Sequence, residues 1–158
     1  RRGGGGGPGA RRPKAWFGAY SIAGVNREGE GKDNQDAYVA VPEVGGDPGM
    51  HLFGVFDGHG ANGHEVSSLV RHSAARFLNV AAVRAAAGHP DGEARAAAVE
   101  VELGEVFLQL QSLLSVQVDF DSEGSGCTAI LALCVDGELY VANVGDSRAV
   151  LASGEGRG

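Results

Sequence analysis

Cysteine is scarce: Cys127 and Cys134 are the only two among 158 residues. They fall at positions of opposite parity on one expected strand, so their side chains point to opposite faces and cannot easily bridge. Neither a disulfide framework nor a zinc site fits such a pair, and both read as buried thiols of a reducing compartment. Long apolar runs are also missing. No stretch approaches the roughly 18 uninterrupted apolar residues of a membrane span, which leaves a soluble or peripherally attached chain. No intact signal peptide is visible, and the first residue is Arg1 rather than Met, as expected of a fragment. The expected location is intracellular, in cytoplasm or nucleus.

Positive charge is short everywhere except at the start. Positions 1–14 hold five Lys or Arg and no acid, with a Gly3 to Gly7 run, Pro8 and Pro13, a low-complexity basic tail expected to be disordered. In the remainder, 15–158, 8 basic side chains face 20 acidic ones, a formal charge of −12. That balance argues against a nucleic-acid-binding surface and fits a body that holds divalent cations in an acidic cleft. A plain acidic, soluble surface fits the charge equally. The length suits one domain.

Hydrophobic periodicity orders the chain. Trp16 to Ala23 alternates as a first strand, Asp36 to Val41 as a second, and the apolar run His51 to Phe56 as a third. From Glu65 onward Val66, Leu69, Val70, Ala74, Phe77 and Leu78 recur at helical spacing, until Gly88, Pro90 and Gly92 break the pattern. A second helix is expected from Glu93 to Gln117, with Val99, Leu103, Val106 and Leu110 on its core side. Cys127 to Val135 and Glu138 to Val144 read as strands joined by Asp136-Gly137, a two-residue hairpin signal. A last strand is expected over Ala149 to Ala152. Strands, two helices and a hairpin make an α+β layout, with antiparallel pairing and helices over one sheet face. The expected sheet lacks a closing partner at its end.

Chemistry-bearing residues gather in three places: Gln35-Asp36, Asp57-Gly58-His59-Gly60 and Gly145-Asp146-Ser147-Arg148. Asp57 at a strand end is a hard oxygen donor suited to Mg²⁺ or Mn²⁺, and Gly58 lets its own carbonyl or a ligand approach. His59, with an ordinary pKa of about 6.5, can give or take a proton near neutrality. The same four residues also fit a Gly-rich turn whose aspartate caps the next helix. Asp146 with Ser147 likewise fits a turn bonded to its own backbone.

Taken together, Asn34-Gln35-Asp36-Ala37, Phe53 to Gly60, Gly124-Ser125-Gly126-Cys127-Thr128-Ala129 and Val141 to Val150 resemble the metal-dependent serine/threonine protein phosphatases of type 2C, the plant and algal members most. Order and spacing agree over about residues 16–153. The resemblance implies a sandwich of two antiparallel sheets flanked by helices (α-β-β-α layers), incomplete at the C-terminus, with a binuclear Mg²⁺ or Mn²⁺ centre. It also implies Asp57 bridging both ions, Gly58 as a carbonyl ligand and Asp36 supporting the centre through water. His59 would be the general acid, and Asp146 would help hold a third, weaker ion. Phosphorylated proteins would be the substrates of a monomer. Neither cysteine heads the short arginine-closed loop that a thiolate phosphatase requires.

Departures from the family pattern carry expectations of their own. Gln35 stands where many members have Glu; it remains a candidate ligand through its carbonyl oxygen, with one charge fewer and weaker metal affinity. Gly31 stands where an arginine usually binds phosphate, leaving Lys32 as the nearest substitute, a point charge without bidentate geometry. Two later metal-ligating aspartates of the family have no counterpart. Residues 15–158 are therefore expected to be the amino-terminal portion of such a domain, binding metal weakly and nearly inactive alone. A pseudophosphatase acting as a protein-binding module is the alternative.

Overall fold

The computed structural model describes residues 16–152. The expected basic tail, 1–14, lies outside them. Five strands form one antiparallel sheet: β1 (Asp36–Val41), β2 (Met50–His59), β3 (Gly126–Cys127), β4 (Ala129–Val135) and β5 (Glu138–Val144). Their spatial order is β1-β2-β4-β5, with β3 also beside β2. A single 3₁₀ turn, Val44–Gly46, joins β1 to β2. Three helices follow β2: α1 (Gly63–Phe77), α2 (Val80–Ala87) and α3 (Gly92–Val116). Among the described residues, no helix is long and apolar enough to cross a membrane.

The α+β class, antiparallel pairing and helical cover of one face agree with the sequence reading. Alternation along β2 sends Met50, Leu52 and Phe56 into the core, and β4 adds Leu131, Leu133 and Val135. Helix α1 meets them with Val66, Val70 and Ala74, and α3 with Val99, Leu103, Val106 and Leu110. Both sets recur at three- and four-residue steps, the apolar stripe of an amphipathic helix. Asp91 starts α3 by accepting from Ala94 N–H at 2.7 Å. The hairpin turn Asp136-Gly137 has φ of 50° and 95°, the doubly left-handed geometry that suits the twist of two-residue hairpins.

Three expectations change. The helical pattern from Glu65 to Gly88 divides after Phe77, because Asn79 accepts from Ala82 N–H and so begins α2 as a separate helix. Trp16 to Ala23 and Ala149 to Ala152 are not strands. Alternation reports only which side chains could share a face; a strand also needs a hydrogen-bonded neighbour, and neither segment has one among the described residues. The expected strand Cys127 to Val135 is interrupted at Thr128, which separates β3 from β4. The sheet is not closed, and the face opposite the helices carries half-exposed Tyr38, Val55 and Val141.

Candidate metal and phosphate site

The Asp57-Gly58-His59 run completes β2, and the turn begins at Gly60. The N-cap of α1 is Asn62, so Asp57 does not cap that helix. Gly60 turns the chain off the strand at φ 84°, and a Cβ there would lie 2.3 Å from the Gly124 carbonyl. Only glycine fits that approach.

Register brings the first two acids together. Asp36 opens β1 directly opposite Asp57 on β2, so both carboxylates leave the same face of the sheet. Burial, the Asp57 charge and a hydrogen bond to Asp57 raise the Asp36 pKa above its ordinary value. Two like charges held this close favour either a shared proton or a cation. Lys32, Gln35, Asp36, Asp57 and Gly58 line one cavity of about 500 Å³, which Asp33 and Asn34 also border. Lys32 sits on a small turn closed by the Val25–Gly31 bridge, with its N–H donated to the Gly24 carbonyl at 2.8 Å.

Gln35 faces the fold as well as the cavity. Its Nε2 donates to the Gly60 carbonyl at 3.0 Å, while its backbone carbonyl accepts from Gly58 N–H and from the buried Ser67 hydroxyl at 2.6 Å. It thus ties β1, the end of β2 and α1 into one joint.

Thr128, to which the sequence reading assigned no role, and Ser147, read there only as part of a turn, both attach to the Asp57 strand end. Thr128 N–H donates to the Asp57 carbonyl at 2.9 Å, and Asp57 N–H returns to the Thr128 hydroxyl rather than to its carbonyl. That hydroxyl lies 2.6 Å from Ser147 Oγ, which fastens the Gly145-Asp146-Ser147 loop to the Asp57 strand end. A threonine interrupting an apolar strand pattern was the available signal. His59 lines a different, neighbouring cavity with Ser122, Ser125 and Cys127. Gly126, opposite His59 in the ladder, leaves room for the imidazole: a Cβ there would stand 2.8 Å from Nε2.

Two carboxylates at one sheet end, with Gln35 and Gly58 beside them on the cavity, are donor types that a hard divalent cation takes. Among the described residues no three His, Cys, Asp or Glu side chains converge as a metal-holding group. The protein groups gathered at this point are one facing carboxylate pair, with Asp33 and Lys32 on the same cavity.

The chain is 35% identical over 136 residues to probable protein phosphatase 2C 35 of Arabidopsis thaliana, spanning 86% of this chain and 36% of that relative. It is 39% identical over 125 residues to probable protein phosphatase 2C 64 of Oryza sativa subsp. japonica, covering 79% of this chain and 28% of the relative. A solved PPM Ser-Thr phosphatase, MsPP from Mycobacterium smegmatis in complex with cacodylate, is 26% identical, with a TM-score of 0.40 over 79% of this chain and 43% of that one. The chain spans about a third of the length of the two plant relatives. Residues 23–158 match the description of protein phosphatase 2C. That match covers most of the sequence, and the chain therefore belongs to the protein phosphatase 2C family.

Proposed function

We propose that the protein hydrolyses phosphoserine and phosphothreonine esters in other proteins, at two Mg²⁺ or Mn²⁺ ions held beside Asp36 and Asp57. The observation that carries this reading is the facing of those two carboxylates across β1 and β2. Asp57, Asp36 and the Gly58 carbonyl would hold the pair, Gln35 is a further candidate oxygen donor, and Asp146 would help hold a third, weaker ion. Bound divalent cations would acidify the attacking water and offset the phosphoryl charge.

The chain's own groups do the rest. Lys32, on the rim of the same cavity, offers a positive charge to the phosphate. His59, two residues beyond Asp57, donates a proton to the leaving alkoxide. Thr128 and Ser147 hold the Asp57 strand end and the Asp146 loop in fixed relation. Cys127 is no rival nucleophile: burial and the Asp57 charge push its thiol up to about 11, so it stays protonated at neutral pH. Slow turnover is expected, because Gln35 and Lys32 supply less charge and less directed bonding than Glu and Arg would.

A second reading, a phosphoprotein-binding module without turnover, is favoured by one observation, the commitment of the Gln35 amide to the Gly60 carbonyl. Calorimetric titration with Mn²⁺ and hydrolysis of a phosphothreonine peptide decide between them. Asp57→Asn should weaken Mn²⁺ binding at least about tenfold and abolish hydrolysis. Unchanged Mn²⁺ affinity in that variant would sink the metal reading, and peptide binding without any hydrolysis by the wild type would select the binding module.

A further inference from the structure

The last residues of β2 separate two cavities. Asp57 and Gly58 line the one described above, whereas His59 lines the second, of about 320 Å³. Nothing in the proposed chemistry uses this second space except the imidazole in its wall. Its floor is apolar, from Val66 on α1 and Leu114 on α3. Its sides carry Gln111 and Ser115 from α3, and Ser122, Ser125 and Cys127 from the segment leading into β3. No Asp, Glu, Lys or Arg lines it.

The wall is firmly built. Asn62 N–H donates to Ser125 Oγ at 3.0 Å, and Asn62 Nδ2 donates to the Asp121 carbonyl at 2.7 Å, which pins the loop after α3 to the start of α1. Gln117 braces the same loop, donating to the Phe120 carbonyl at 2.7 Å and accepting from Asp119 and Phe120 N–H. A cavity held open by such bonds is pre-formed for a ligand.

We infer that this cavity is a substrate subsite that receives the leaving-group side of the phosphoprotein, the acceptor Ser or Thr with an adjacent uncharged, hydrogen-bonding side chain. The inference rests on the phosphatase reading. With His59 as the proton donor, the leaving oxygen sits against the imidazole that walls this space, and the alcohol side of the ester is the part of the substrate nearest to it. The volume suits a side chain or two, and the hydroxyl and amide lining can pair with Asn, Gln, Ser or Thr. An acidic or basic neighbour would lose its hydration there without gaining an opposite charge.

The test measures kcat/KM of the full chain with Mn²⁺ on p-nitrophenyl phosphate and on phosphothreonine peptides flanked by Asn or by Glu. The wild type should prefer the Asn peptide about tenfold, since a carboxylate gives up hydration against a lining that offers it no Lys or Arg. Ser115→Phe, which fills the cavity from its exposed rim, should lower the ratio of Asn-peptide to p-nitrophenyl phosphate kcat/KM by about tenfold. Gln111→Ala, which introduces a better helix former and so keeps α3 intact, should shrink the Asn-over-Glu preference to about twofold. Hydrolysis of all substrates with the ratio and the preference unchanged in both variants would overturn the subsite while leaving the phosphatase reading standing. No Mn²⁺-dependent hydrolysis of any substrate by the wild type would overturn the phosphatase reading and the subsite with it.

Discussion

The Gln35 carboxamide donates to the Gly60 carbonyl while its backbone carbonyl receives both Gly58 N–H and the Ser67 hydroxyl. A residue weighed in the sequence by the charge it lacks is, in the fold, a joint between strand, turn and helix. Gln35→Glu restores the charge common in the family but cannot donate, and it sets a carboxylate against the Gly60 carbonyl. It should destabilise the protein by about 0.5–1.5 kcal/mol, the net worth of one hydrogen bond, read as a lower urea midpoint at unchanged slope. Asp36, Asp57 and Gly58 were legible as candidates because carboxylates and glycine at strand ends have recognisable chemistry. Thr128 was not, because its role depends on the hydroxyl taking the place of a ladder carbonyl opposite Asp57. A threonine within an apolar strand marks the position, but only the register shows what its hydroxyl replaces.

Elements were legible where one local rule governs them. The stripes of α1 and α3 and the Asp136-Gly137 hairpin follow from helical spacing and turn conformation alone. The segments at Trp16 to Ala23 and Ala149 to Ala152 misled because strand formation requires a partner, which alternation does not supply. The hairpin is anchored to α3 by Arg95, whose guanidinium makes a two-pronged contact with Glu138 at 2.7 and 2.8 Å. The Tyr140 hydroxyl and Arg95 hold the Glu138 carboxyl below its ordinary 4.5. Unfolded chains then bind more protons than folded ones in this range, so the contribution is present above pH 4.5 and lost as pH falls through the depressed folded value. Glu138→Gln should therefore flatten the acid limb of a stability profile measured by urea unfolding between pH 3 and 7, and a steeper limb in the variant would refute the assignment.

At the scale of the molecule, one sheet carries both its core and its candidate site on opposite faces. The helix-covered face is closed by Phe56, Leu103 and Leu131, each at most 1% exposed. The other face keeps the facing carboxylates and the half-exposed Tyr38, Val55 and Val141. Like charges placed directly opposite across strands destabilise the cation-free protein by a few tenths to about 1 kcal/mol, and a bound cation reverses that effect. Mn²⁺ should thus raise the thermal midpoint. Asp36→Asn should raise the midpoint of the chelator-treated protein slightly while removing most of the Mn²⁺ increment, as scanning calorimetry would show. A full Mn²⁺ increment in Asp36→Asn would place the ion elsewhere.

The sequence by itself determined the α+β class, the amphipathic helices, the hairpin and the residue types of the candidate site. Each is written in a short stretch and obeys rules of spacing and turn geometry that act within a few residues. Only the tertiary structure decided that Asp36 faces Asp57, that Gln35 braces the Gly60 turn, that Thr128 clasps Ser147 to the strand end, and that His59 opens onto a cavity of its own. Those relations join residues far apart in the chain, 71 positions in the case of Asp57 and Thr128. They are set by strand register and helix packing, and only folding of the whole sheet brings them about.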